Sequence, residues 1–102
     1  MGSRLKLHEE LCEILGTRNV YYNPPASVKR TYPCIQYALE APDQKRANNG
    51  IYQSINRYEV TVIEHDPESD TADNVQRHFP WASIDRRYKA DNLNHTVLTI
   101  YY

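Results

Sequence analysis

The stretch from Ser83 to Tyr102 constrains this chain most. Two runs of strand-forming residues, Ser83–Lys89 and Thr96–Tyr102, flank the polar segment Ala90-Asp91-Asn92-Leu93-Asn94. Thr, Val, Ile and Tyr suit a pleated, half-buried surface, and Asn and Asp supply the turn conformations that join two such runs. The runs are expected to pair with each other. The final Ile100-Tyr101-Tyr102 is too apolar for a solvated tail and is expected to be tied into a sheet of this subunit or of a neighbour. An ordered end of that kind points to assembly rather than catalysis.

Elsewhere the periodicity alternates between helix and strand. Leu7, Leu11, Ile14 and Leu15 recur at helical spacing, predicting a helix over Arg4–Leu15, and Gly16 stands where a left-handed C-terminal cap is wanted. Asn19–Tyr22 reads as a short strand stopped by Pro24-Pro25. Tyr32–Glu40 reads as a second, with Ile35, Tyr37 and Leu39 on one face and Cys34, Gln36 and Ala38 on the other. Ala41–Gly50 is a turn-rich connection. Ile51–Glu64 is a third strand whose core face carries Tyr58, Val60 and Val62. Asp66-Pro67 breaks it. Asp70–His78 then forms a helix with Asp70 as N-cap, an apolar stripe of Ala72, Val75 and Phe79, and Pro80 as its stop. The order predicts one α+β domain over residues 1–102. It is a two-layer sandwich: a mostly antiparallel sheet of four to five strands with two helices on one face.

A chain of 102 residues can bury one adequate core. Its net charge of −1 argues against a strongly basic nucleic-acid binder. No apolar run is long enough to cross a membrane, and the N-terminus lacks the apolar stretch of a secretory signal. Cys12 and Cys34, far apart, are expected to be buried free thiols. Nine tyrosines stand against one Trp and one Phe. Tyrosine suits contacts that are part apolar and part wet, so several are expected at subunit boundaries.

Chemistry-bearing patterns are sparse. His8, His65, His78 and His95 are scattered, with no HExxH, no CxxC and no glycine-rich phosphate loop. His65-Asp66 with Glu68 and Asp70 is a candidate metal-binding or enzymatic centre, against the plainer reading of a strand end followed by an acidic helix N-terminus. Cys34 and His95 would make a nucleophile pair only if the sheet brought them together. Asp85-Arg86-Arg87 reads as a charged edge or an inter-subunit pair. Lys29-Arg30 and Lys45-Arg46 are short basic pairs in loops, solvated or touching a partner. No catalytic residue, metal or cofactor is assigned.

Several strings occur in a telling order. These are Tyr32-Pro33-Cys34-Ile35-Gln36-Tyr37, Asn49-Gly50-Ile51-Tyr52, Arg57-Tyr58-Glu59-Val60-Thr61-Val62-Ile63 with Asp66-Pro67, and Asp85-Arg86-Arg87-Tyr88 with Asp91-Asn92-Leu93-Asn94-His95. Over residues 5–102 the chain resembles the tail-terminator, or tail-completion, proteins of the head–tail joining region of long-tailed (siphovirus-type) bacteriophages. The resemblance implies an α+β fold and a structural virion protein without enzymatic activity. It implies a homo-oligomeric ring, typically a hexamer, seated on the last ring of tail-tube protein. Such a ring ends tail growth and meets a head-closure or connector protein. Phage DNA passes through its lumen without sequence-specific binding. It also implies assembly in the host cytoplasm and no membrane partner. A head-closure (stopper or adaptor) neck protein is the alternative reading, and a small metal-binding or enzymatic domain around His65–Asp70 is a second. Interface candidates rest on physical grounds. Lys45, Arg46, Asn48 and Asn49 lie in the long loop. Arg86 and Arg87 lie on a strand, and Tyr101 and Tyr102 at the end.

Overall fold

The computed structural model describes residues 4–25, 27–40 and 56–102. Its elements run α1 (Arg4–Leu15), β1 (Val20–Tyr22), β2 (Cys34–Leu39), β3 (Arg57–Glu64), α2 (Thr71–His78), β4 (Ala82–Ala90) and β5 (Leu93–Tyr101). The five strands form one sheet in the order β1-β2-β3-β5-β4. All pairings are antiparallel except β1 with β2, which are parallel. A parallel pair needs a crossover rather than a tight turn, and the proline-rich segment between Tyr22 and Cys34 supplies it. The expected α+β sandwich is therefore present, with five strands and one parallel pair.

The alternation of the strands divides the core. Tyr58, Val60 and Val62 of β3 share a face with Ile35 and Tyr37 of β2 and with Leu98 and Ile100 of β5. Against this face α1 packs Leu7, Leu11 and Cys12, and α2 packs Ala72, Val75 and the following Phe79. Both helices thus cover one side of the sheet, α1 over β1 and β2 and α2 over β4 and β5. Gly16 ends α1 at φ +88°, its N–H donating to the Cys12 carbonyl at 2.9 Å. That left-handed geometry suits glycine, which has no Cβ to clash. On the opposite, outer face a smaller cluster of Cys34, Ile63 and Leu93 is roofed by Tyr21 and Tyr32.

Two expectations change. The five-residue turn at Ala90–Asn94 is a two-residue hairpin: Asp91 and Asn92 both take positive φ, 55° and 63°, and Leu93 is already in β5 and buried. Paired positive φ values mark the turn whose twist matches the flanking strands. Asp70 holds the N-cap position of α2, but its side chain does not cap. Ser69 Oγ instead accepts from Thr71 N at 3.2 Å. The loop 41–50 and the expected strand start at 51–55 lie outside the described residues.

Candidate interaction surface

β4 is an edge strand, and within its nine residues only Ala82, Ile84 and Ala90 are half-buried. A strand edge presents unpaired backbone donors and acceptors to any chain that can lie beside it. The strand is also bulged between Ile84 and Arg86. A bulge adds one residue and re-aims its neighbours. Here Asp85 accepts a 2.6 Å hydrogen bond from Thr99 Oγ1. Arg86 sits 5.8 Å from the ring centre of Tyr88, which stacks on His95 at 4.7 Å. The result is a cationic and aromatic ladder on the outer face.

Two adjacent interface candidates consequently face opposite ways. Arg86 stands opposite Val97 on the outer face, whereas Arg87 stands opposite Thr96 on the helix face and reaches Asp73 of α2 at 3.4 Å. Tyr101 and Tyr102 divide similarly. Tyr101 is exposed beside Arg57. The Tyr101 hydroxyl, then Glu40 at 2.7 Å, holds the Arg57 guanidinium still more firmly charged. Tyr102 turns inward: its hydroxyl donates to Glu10 of α1 and its ring meets Phe79 edge-on. It is an internal clasp between the C-terminal strand and both helices. Lys45, Arg46, Asn48 and Asn49 lie outside the described residues.

Among the described residues, the most exposed aromatic is not one of the expected candidates. Trp81, just ahead of β4, is 58% exposed, and its carbonyl accepts from Tyr101 N at 2.9 Å. It stands beside Tyr101, while Tyr88, opposite His95, lies towards the hairpin end of β4. The other large exposed apolar side chains among the described residues are Leu5, Tyr22 and Leu39. These belong to α1, β1 and β2, at the other edge. Exposure cannot be read from a single tryptophan after Pro80, so sequence offered only the residue type as a signal.

The candidate chemical centres take structural roles. Asp66 Oδ1 accepts from Glu68 N at 2.9 Å, the His65 carbonyl accepts from Asn94 Nδ2 at 3.2 Å, and Asp70 Oδ1 accepts from Asn74 Nδ2 at 3.4 Å. Among the described residues no three His, Cys, Asp or Glu side chains converge as a metal cluster. Cys34 and His95 occupy the same row of the outer face with Ile63 between them. Two strand spacings separate them, about 10 Å, so they form no nucleophile pair. Burial pushes the Cys34 thiol up to about 11, away from the reactive thiolate.

One cavity stands out. About 300 Å³ in volume, it opens between the loop leading into α2 and the β4–β5 hairpin, lined by Glu64, Asp66, Arg87, Lys89, Asn94 and Thr96 among others. Glu64 is 7% exposed. Its backbone pairs with Asn94 at the end of the β3–β5 ladder.

No family model, no curated protein and no solved structure matches the chain. No helix among the described residues is long and apolar enough to cross a membrane.

Proposed function

We propose that this protein is a structural subunit of the phage head–tail interface. In this reading it forms a homo-oligomeric ring, six copies as the resemblance implies, that caps the tail tube, ends tail growth and joins the tail to the head-closure protein. DNA passes through the ring, and the near-neutral net charge of −1 suits passage without retention. The particle is assembled in the host cytoplasm and the protein resides in the virion neck.

The observation that carries this reading is the division of the exposed apolar side chains. Leu5 on α1, Tyr22 on β1 and Leu39 on β2 belong to one half of the molecule, and Trp81 just before β4, Tyr88 on β4 and Tyr101 on β5 to the other. A ring closes through heterologous contacts, which require two different surfaces on each subunit. Aromatic residues are the usual anchors of such contacts.

The test is direct. The purified protein, alone and mixed with tail-tube protein, is examined by negative-stain electron microscopy and light scattering; rings support the proposal, and a monomer under both conditions rejects it. Depletion during infection separates the two neck roles. Loss of a terminator gives tails of abnormal length, whereas loss of a head-closure protein gives leaking heads beside normal tails.

A further inference from the structure

The first turns of α1 meet the sheet through a polar contact whose proton has one direction. Tyr37 of β2 is 2% exposed, and its hydroxyl meets two side chains of α1. Arg4 Nη1 donates to it at 3.3 Å, and His8 Nδ1 lies 2.8 Å away. A guanidinium can only donate, so the phenol oxygen is the acceptor of the first pair. The phenol has one proton, and His8 Nδ1 is there to receive it. Burial, opposed by Arg4, raises the Tyr37 hydroxyl above its ordinary value, so the phenol keeps that proton to give. His8 therefore stands as the neutral imidazole with its own proton on Nε2.

Protonation of His8 reverses the arrangement. Nδ1 becomes a donor aimed at a hydroxyl that already accepts from Arg4. The new charge also stands beside cations: Arg4 is one helical turn back on α1, and Arg18 lies just past the end of the helix. Glu9 is the carboxylate beside it, and Arg18 engages both Glu9 oxygens, at 2.7 and 2.9 Å. The sheet contributes neutral rings, Tyr37 at 5.7 Å from the imidazole, with Tyr22 and Tyr58 packed on Tyr37. Burial first, then Arg4, with Glu9 opposing and Arg18 adding, set the His8 pKa below its ordinary value.

The helix has little local reserve against this loss. Its first turn holds no acidic residue, and Arg4 and Lys6 bring positive charge to the end of the helix dipole that favours negative charge. The same turns carry exposed Leu5, and Arg4 lies 4.3 Å from the Tyr22 ring centre.

We propose that His8 and Tyr37 form an acid-released latch: neutral His8 fixes the first turns of α1 on the sheet, and its protonation frees them, with Leu5 and the Arg4 cover on Tyr22. The latch belongs to a single subunit and goes beyond the ring reading. Its sign follows from linkage. The open helix takes up a proton near the ordinary histidine value of about 6.5, the closed helix only below it. Latching is complete above the open value and is lost as pH falls from there towards the closed one. The other tie of α1 does not share this range. Glu10 is held below the ordinary carboxyl value by Tyr102 and His78, and a charged His78 only strengthens its bond to that carboxylate.

The experiment is NMR on the full chain between about pH 7.5 and pH 5, a range that spans histidine titration. It combines imidazole nitrogen spectra with amide hydrogen exchange corrected for intrinsic rates. Wild-type His8 is expected as the Nε2-protonated tautomer at the upper pH. Protection of the His8–Leu11 amides should fall by up to about tenfold per pH unit below the open value, while Val60 and Leu98 in the sheet hold theirs. His8→Asn keeps an acceptor near the Nδ1 position and cannot titrate, so its α1 protection should stay level. Arg4→Met frees the phenol oxygen to accept from a charged His8, so the His8 pKa should rise and the acid loss shrink. A charged or Nδ1-protonated His8 at the upper pH overturns the latch, as does wild-type α1 protection that does not change with pH. So does a His8→Asn or Arg4→Met protein whose acid loss equals that of wild type. If either variant fails to fold, the wild-type tautomer and exchange profile decide by themselves.

Discussion

At the scale of single residues, the clasp at Tyr102 joins chain positions that sequence could not connect. Burial works against the Glu10 carboxylate, but hydrogen bonds from Tyr102 and His78 outweigh it and hold its pKa below the ordinary carboxyl value. Burial and the same carboxylate push Tyr102 up to about 12. The sign for stability follows from linkage. A depressed carboxyl pKa contributes stability that is complete above the unfolded value and is lost as pH falls through the folded value. Tyr102→Phe is therefore expected to cost about 1 kcal/mol at neutral pH. Urea midpoints should show that difference shrinking as the pH is lowered into the acid range below 4.5. The thiols provide a second check. Cys34 is fully buried and Cys12 nearly so, and burial raises both pKa values. Mass spectrometry after iodoacetamide treatment at pH 8 should find both unmodified in the native protein and modified in denaturant.

At the scale of elements, the β4–β5 hairpin was only partly legible. The strand runs stood out because Thr, Val, Ile and Tyr alternate on either side of a polar break. The turn did not, because Leu93 interrupts the polar residues and its burial depends on Ile63 and Cys34, remote in sequence. The two-residue turn makes a sharp claim. Asn92→Gly should leave stability unchanged or raise it slightly. Asn92→Val, a β-branched residue at φ 63°, should cost about 1–2 kcal/mol in chemical denaturation. Strand order was less legible still. Sequence paired Thr96–Tyr102 with Ser83–Lys89, but β5 also pairs with β3 from Asn94 to Tyr101. The C-terminal strand is thus interior, with Leu98 and Ile100 fully buried. Leu98→Ala is expected to cost about 3 kcal/mol. Removal of the last three residues should impair folding before it impairs assembly, as circular dichroism melts would show.

At the scale of the whole molecule, the exposed side chains define the contact expected between copies. Trp81→Ala should leave the melting temperature nearly unchanged, since Trp81 is 58% exposed, yet weaken self-association by about 2 kcal/mol or more, as loss of an aromatic anchor does. Equal association of wild type and variant in light scattering would remove Trp81 from the contact. Charge reversal at Lys45 and Arg46 is expected to impair assembly, read as ring yield by electron microscopy.

The sequence alone carries the elements. Their periodicities, Gly16, the Pro stops and the Asp-Asn turn residues all act within a few residues, where local sterics and hydrogen bonding decide. It also determined the class of fold, because hairpin-linked strands and two amphipathic helices have few ways to bury their apolar faces. The folded arrangement alone sets which strand lies at the edge, that Tyr102 turns inward while Tyr101 stays exposed, and that Arg86 and Arg87 part to opposite faces. Only it decided that Glu64 ends buried at a cavity. These outcomes depend on contacts between residues far apart in the chain, and no local pattern encodes which of them meet.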